Sequence, residues 1–232
     1  RLYRFVSTYA VGNYSFMERY ILSLSARRDA SNIFGVKSND KWKPLWSAGI
    51  GWIVSKEPWY QSSKLSYLKI RGSYGYSGNV NQALTAITTI LTTGTSPYTG
   101  GPVSRFDQFR NPELKWEEVR TVNIGADFSL LKERIRGSIE VYQKNARDLY
   151  GGSPTDYTGV PVSSLTRNVS SMKARGLDMQ LNTFQLDGEF KWSSTINFNL
   201  YRDKVIKRNR ASIAASSVVG NGDLISAIEG YP

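Results

Sequence analysis

The sequence predicts an all-β fold: an antiparallel, up-and-down segment of a transmembrane β-barrel, supplying about eight strands. Three observations predict it. Eight stretches alternate apolar and polar residues, the period-two signature of a strand with one oily and one wet face. Charged and amide residues sit mid-strand on the wet face, among them Lys69, Arg71, Asp127, Arg136, Glu140 and Asp178. A soluble eight-stranded barrel fills that face with apolar side chains instead. Finally, short and long connections take turns along the chain, as in outer-membrane barrels.

The clearest alternation is Gly176-Leu177-Asp178-Met179-Gln180-Leu181-Asn182-Thr183. Leu177, Met179 and Leu181 point one way, and Asp178, Gln180 and Asn182 the other. In chain order, the first candidate strand, about 2–11, places Tyr3, Phe5, Ser7, Tyr9 and Val11 on one face. Gly12-Asn13-Tyr14-Ser15 reads as its turn. The second, about 18–28, sets Tyr20, Leu22, Leu24 and Ala26 against Ile21, Ser23, Ser25 and Arg27. The third, about 45–55, carries Trp46, Ala48, Ile50, Trp52 and Val54 opposite the small residues Ser47, Gly49 and Gly51. The fourth, about 65–76, opposes Leu68, Ile70, Gly72, Tyr74 and Tyr76 to Lys69, Arg71, Ser73 and Gly75.

The gap 77–112 is rich in Thr, Gly, Ser and Pro and reads as a long loop without structure of its own, a length that marks functional loops. The fifth strand, about 114–128, opposes Val122, Ile124, Ala126 and Phe128 to Thr121, Asn123, Gly125 and Asp127. A tight turn at Leu130-Leu131-Lys132-Glu133 leads to the sixth, about 134–147, with Ile135, Gly137, Ile139 and Val141 against Arg136, Ser138, Glu140 and Tyr142. After a Gly/Pro/Ser-rich loop at 151–166 comes the seventh, about 168–184, then a turn at 185–188 and the eighth, about 189–203. Residues 204–232 read as another loop. Aromatics near predicted strand ends (Trp46, Trp59, Trp116, Tyr142, Trp192, Tyr201) suit a membrane-interface girdle.

Composition narrows the chemistry. The 232 residues contain no cysteine and no histidine, which removes disulfides, thiol chemistry, Ser–His–Asp catalysis and the common zinc sites from this chain. No run of eighteen apolar residues is present, so no transmembrane helix is expected, and a β-strand needs only about 9–11 residues to cross. The net charge of +11 raises nucleic-acid binding, but the cations are scattered. Only Lys204, Lys207, Arg208 and Arg210 cluster, without a nucleic-acid-binding motif, so no nucleic-acid partner is expected. The surplus otherwise reads as solvated strand ends and a wet interior or, more sharply, as attraction to anionic lipid headgroups or phosphates. The chain opens in a strand and ends in a loop-like stretch, and it reads as a piece of a larger protein.

Several stretches resemble the SusC/RagA-like, TonB-dependent outer-membrane transporters of Bacteroidetes. They are 18–29, Ser47-Ala48-Gly49-Ile50-Gly51-Trp52, 68–75 with Ser77-Gly78-Asn79, Asn111-Pro112-Glu113-Leu114-Lys115-Trp116-Glu117, 123–128, 134–142, Lys173-Ala174-Arg175-Gly176-Leu177-Asp178 and Glu229-Gly230-Tyr231-Pro232. They occur in family order, each where alternation already places a strand or turn. The resemblance implies a plugged barrel of about twenty-two strands, with the whole of 1–232 as barrel and the plug domain and TonB box outside this chain. It further implies import of oligosaccharides or oligopeptides, a SusD-like surface lipoprotein lid, a TonB complex, and a setting among outer-membrane lipid and lipopolysaccharide. Two other readings stay open: a non-transporting structural or adhesive outer-membrane barrel, and a soluble carbohydrate-binding β-sandwich.

No catalytic, metal or cofactor site is expected. Asp127, Glu140 and Asp178 read as solvated or paired across strands, and Gly49-Ile50-Gly51 is not a phosphate loop. Asn13-Tyr14-Ser15 and Asn168-Val169-Ser170 match a glycosylation pattern by chance in this setting. The candidate contacts to substrate or lid are Tyr98, Arg105, Phe106, Asp107, Phe109 and Arg110 in the long gap. Aromatic faces stack on sugars or peptide side chains, and arginine forks bind carboxylates and hydroxyls.

Overall fold

A computed structural model describes residues 5–31, 42–79, 88–108, 114–154 and 164–208. Ten strands form: β1 (Phe5–Phe16), β2 (Tyr20–Ser31), β3 (Trp42–Ile53), β4 (Leu65–Asn79), β5 (Thr89–Thr95), β6 (Pro102–Gln108), β7 (Glu117–Leu130), β8 (Ile135–Pro154), β9 (Ser164–Asp187) and β10 (Lys191–Arg208). Eight of them make one sheet in the order β1-β2-β3-β4-β7-β8-β9-β10, with every neighbouring pair antiparallel. These are the eight strands the alternation predicts. A 3-10 turn, Val54–Lys56, opens the connection from β3 to β4.

The register explains why the alternation is so regular. Cross-strand partners share a face, and one row reads Leu22, Ile50, Gly72, Ile124, Val141, Leu177, Leu200 from β2 to β10. The neighbouring row toward the short turns reads Tyr20, Trp52, Ile70, Ala126, Ile139, Met179, Phe198. A one-residue slip anywhere would exchange the two faces of a strand. Among the described residues no second layer covers these rows. Ile50, Ile124 and Leu200 stay 68%, 62% and 60% exposed, so the apolar face lacks an internal partner. A contiguous oily surface of this kind belongs against lipid.

Three expectations change. The first turn is Met17-Glu18-Arg19, not Gly12-Asn13-Tyr14-Ser15, which lies inside β1. Met17 and Glu18 take positive φ without being glycine or asparagine, and the Arg19 amide donates to the Phe16 carbonyl at 3.0 Å. With β1 in that register, Tyr9 faces Arg27 and Val11 faces Ser25 on the polar side, while Tyr14 and Phe16 join Leu22 and Tyr20 on the apolar side. Second, the gap 77–112 holds the β5–β6 hairpin, a separate two-stranded sheet with Ile90 opposite Phe106 and Leu91 opposite Arg105. Its β-branched run Thr89-Ile90 and Thr92-Thr93 favours a strand, and Gly94 and Gly100 supply the positive φ values near its turn. Third, the girdle loses three members: Trp116 is buried beside Leu114, while Tyr142 and Tyr201 flank Gly176 on the polar face.

Candidate functional site

The polar face of the sheet is the candidate site, and its centre is a row set by register: Ile21, Gly51, Arg71, Gly125, Glu140, Asp178, Asn199. Arg71 on β4 and Glu140 on β8 are separated by β7, whose residue between them is Gly125. A Cβ at Gly125 would lie 3.1 Å from the Arg71 guanidinium carbon and 3.2 Å from the Ile139 carbonyl oxygen. The missing side chain therefore opens the path across β7. Arg71 donates through Nη2 to Glu140 Oε2 at 2.7 Å and through Nε to Asp127 Oδ1 at 3.3 Å. Asn123 Nδ2 donates to the other Glu140 oxygen. Further along the same row, Asn199 Nδ2 donates to Asp178 Oδ1 at 3.0 Å.

These carboxylates are thus paired across strands, and each is held as an acceptor. Side-chain exposure of 35% for Arg71, 32% for Asp127 and 26% for Glu140 leaves the network open to the space above the wall. Pairs this exposed are worth roughly 0.2–1 kcal/mol each, so their role is orientation more than stability. Beside the network, Ser23, Gly49, Gly51, Lys69, Arg71 and Asn123 surround a depression of about 230 Å³ made by the short side chains of β2 and β3. Further along the wall the Tyr142 ring lies across Gly176, with the Lys144 ammonium 5.0 Å from the ring centroid.

Two clamps hold the ends of the wall, and the alternation pattern shows neither. At the short-turn end the Glu57 carboxylate, 8% exposed, accepts from Tyr20 Oη at 2.7 Å, Trp52 Nε1 at 2.9 Å and Arg19 Nη1 at 3.1 Å. The hydrogen bonds from Trp52 and Tyr20, and then Arg19, hold its carboxyl below the usual 4.5 against the opposing effect of burial. Lys56 and Glu18 add an ion pair at 2.7 Å, tying the β3–β4 connection to the β1–β2 turn. At the opposite end Asn168 accepts from the Lys115 amide at 2.9 Å, and its Nδ2 donates to the carbonyls of Lys115 at 2.9 Å and Asp148 at 2.6 Å. Tyr150 Oη donates to the same Lys115 carbonyl at 2.7 Å, and its ring covers Leu114 and Trp116. The Leu114-Lys115-Trp116 segment is thereby pinned to the extensions of β8 and β9.

Those candidate contact residues that are described lie on the β5–β6 hairpin. Tyr98 stands at the hairpin turn, 95% exposed. Arg105, Phe106 and Asp107 lie along β6, and Phe109 and Arg110 fall outside the described residues. No group of three or more potential metal ligands occurs among the described residues.

Comparison with known proteins agrees with this architecture. A family model described as "TonB dependent receptor-like, beta-barrel" matches residues 2–227. TonB-dependent receptor P3 of Formosa agariphila is 29% identical over 209 residues, covering 87% of this chain and 20% of that protein. TonB-dependent receptor SusC of Bacteroides thetaiotaomicron is 27% identical over 216 residues, covering 87% and 21%. Among solved structures, the RagAB peptide importer in its closed-closed state superposes with a TM-score of 0.78 at 25% identity, over 88% of this chain and 22% of that one. The siderophore receptor PirA of Pseudomonas aeruginosa, at 11% identity and a TM-score of 0.56, shares the fold alone. The chain spans about a fifth of the length of the relatives it matches. An eight-stranded sheet with one apolar face and one polar face, in a chain with a family match along nearly its whole length, leads to one conclusion: the chain belongs to the TonB-dependent receptor-like β-barrel family of the bacterial outer membrane.

Proposed function

We propose that this chain forms a stretch of wall in an outer-membrane transporter that imports oligosaccharides or oligopeptides under a SusD-like lipoprotein lid. The carrying observation is the two-faced eight-stranded sheet within a family match over residues 2–227. A transporter needs both faces: an apolar one toward lipid and a polar one toward a plugged lumen. The Arg71–Asp127–Glu140 network lines that lumen, where the plug and passing cargo meet the wall. The plug domain, the TonB complex and the remaining strands complete the machine. The turns at 17–19, 131–134 and 188–190, together with the β3–β4 connection at 54–64, face the periplasm, and the connections at the opposite ends of the strands face outward. Tyr98, Arg105, Phe106, Asp107, Phe109 and Arg110 lie in one of these outward connections and serve as contacts to cargo or lid.

The name of one neighbour supports the peptide class, since it is a peptide importer. The deciding experiment is uptake by cells with and without the full-length protein, using labelled oligosaccharides and oligopeptides. Deletion should abolish uptake of one class, and collapse of the proton-motive force should do the same. Uptake of both classes that survives deletion would sink the reading and leave a structural or adhesive barrel in its place.

A further inference from the structure

Beyond the apolar band, the outward face of β9 and β10 changes character in one step. Leu177 opposite Leu200 is followed by Arg175 opposite Arg202 and then by Lys173 opposite Lys204. Two directly opposed like-charge pairs thus sit next to each other on the same face. Like charges directly opposite in an antiparallel pair are destabilising, so this arrangement calls for an anion. Arg175, Arg202 and Lys204 are exposed and Lys173 is half-buried. No ion pair to any of the four forms among the described residues. Asp203, the nearest carboxylate in sequence, lies on the other face opposite Ala174.

The surroundings identify the anion's chemistry. The row of Lys173 and Lys204 continues through Asn145, Arg120 and Tyr76 to Trp46. There Trp46 packs against Tyr74 and Tyr76 with ring centroids 5.6 Å apart, the kind of aromatic belt that marks a membrane interface. The cations therefore stand at the edge of an oily surface, not in a closed cleft. A ligand that fits must carry negative charge at one end and hydrocarbon at the other. Arginine forks and lysine ammoniums both suit phosphate oxygens, while Leu177, Met179, Phe198 and Leu200 suit acyl chains.

We propose that Lys173, Arg175, Arg202 and Lys204 form a binding site for the phosphate of an acylated, phosphorylated glycolipid headgroup in the outer leaflet. The proposal rests on the reading that the long connections face outward and the apolar face meets lipid. It is tested on the full-length transporter in phosphatidylcholine nanodiscs, with native mass spectrometry reading the binding of monophosphoryl lipid A, its dephosphorylated form and inorganic phosphate. The wild type should bind the phosphorylated lipid. Lys173→Gln with Arg175→Gln, Arg202→Gln and Lys204→Gln should weaken that binding at least about tenfold. Lys132→Gln with Arg134→Gln, at the far end of the wall, should leave it unchanged. If the quadruple variant does not form a heat-modifiable barrel, Arg202→Gln with Lys204→Gln makes the same comparison.

Equal binding by wild type and variant overturns the site. Equal binding of the dephosphorylated lipid removes phosphate from its chemistry, and equally tight inorganic phosphate makes it a free-anion site. Loss of a co-purifying lipoprotein with lipid binding intact would make it a protein interface instead. The underlying reading has its own check: Leu177→Cys should react with a lipid-dissolved maleimide. Without that reaction, the lipid-face reading fails, independently of the headgroup result.

Discussion

At the scale of single residues, two positions do more than their side chains announce. Glu57 is one carboxylate in the connection 54–64, and nothing in its neighbours marks it as special. Folding surrounds it with Trp52, Tyr20 and Arg19 from two strands and a turn. Its carboxyl is lowered from the ordinary 4.5, so its stabilising contribution is present above that value and fades as pH falls through it toward the folded value. Melting of the full-length protein in detergent, followed by tryptophan fluorescence, should therefore weaken below about pH 4.5, and Glu57→Gln should flatten that limb while lowering stability at pH 7. Gly125 acts through absence. Gly125→Val places a side chain in the path of Arg71, with Cβ 3.1 Å from the guanidinium carbon. The expected cost is about 1–3 kcal/mol in a urea titration of the reconstituted barrel. Gly125→Ser should cost less, because a hydroxyl there retains a hydrogen-bond partner for the displaced guanidinium.

At the scale of elements, strands are legible wherever one face is oily, because the period of two survives any tertiary context. Turns are less so. Gly12-Asn13 looks like a turn by local chemistry, yet both residues sit in β1 and the chain reverses at Met17-Glu18. The compensation is tertiary: Lys56 pairs with Glu18, Glu57 binds Arg19, and the Ile53 amide donates to the Arg19 carbonyl at 2.8 Å. The β5–β6 hairpin escaped the pattern for the opposite reason. Thr-rich strands such as Thr89–Thr95 have no clear oily face, so alternation is silent there. Asn168 shows how an element can be held by one amide, since it bridges the backbone of Lys115 and Asp148. Asn168→Ala leaves the Lys115 amide without its acceptor and should cost about 1–3 kcal/mol. Hydrogen exchange at the amides of Lys115 and Trp116 should speed up, with β7 unchanged.

At the scale of the whole molecule, the sheet has two surfaces and no enclosed core. Val54, Leu114, Trp116, Ala174 and Val205 are the buried hydrophobic residues among those described, too few to hold a soluble domain of this length. Its apolar rows must be covered by hydrocarbon, and its edges, β1 and β10, present strand backbone that other segments of a barrel must pair. The two surfaces should respond differently to charge. Leu177→Arg, on the lipid face near mid-strand, should cost about 2–4 kcal/mol in reversible folding into bilayers. Gln180→Arg on the polar face should cost less than about 1 kcal/mol, because water or the plug can solvate it. Similar costs at both positions would contradict a membrane wall and favour a soluble sandwich.

The sequence by itself determined the fold class, the eight main strands, which face of nearly all of them is oily, and the family. Each of these is written in spacing and residue type, which do not depend on partners far along the chain. Only the tertiary structure decided the partnerships: Arg71 reaching Glu140 over Gly125, Glu57 caged by Trp52, Tyr20 and Arg19, and four cations stacked in opposed pairs on β9 and β10. Those depend on register, and register is the sum of many weak cross-strand choices that no single stretch of sequence displays.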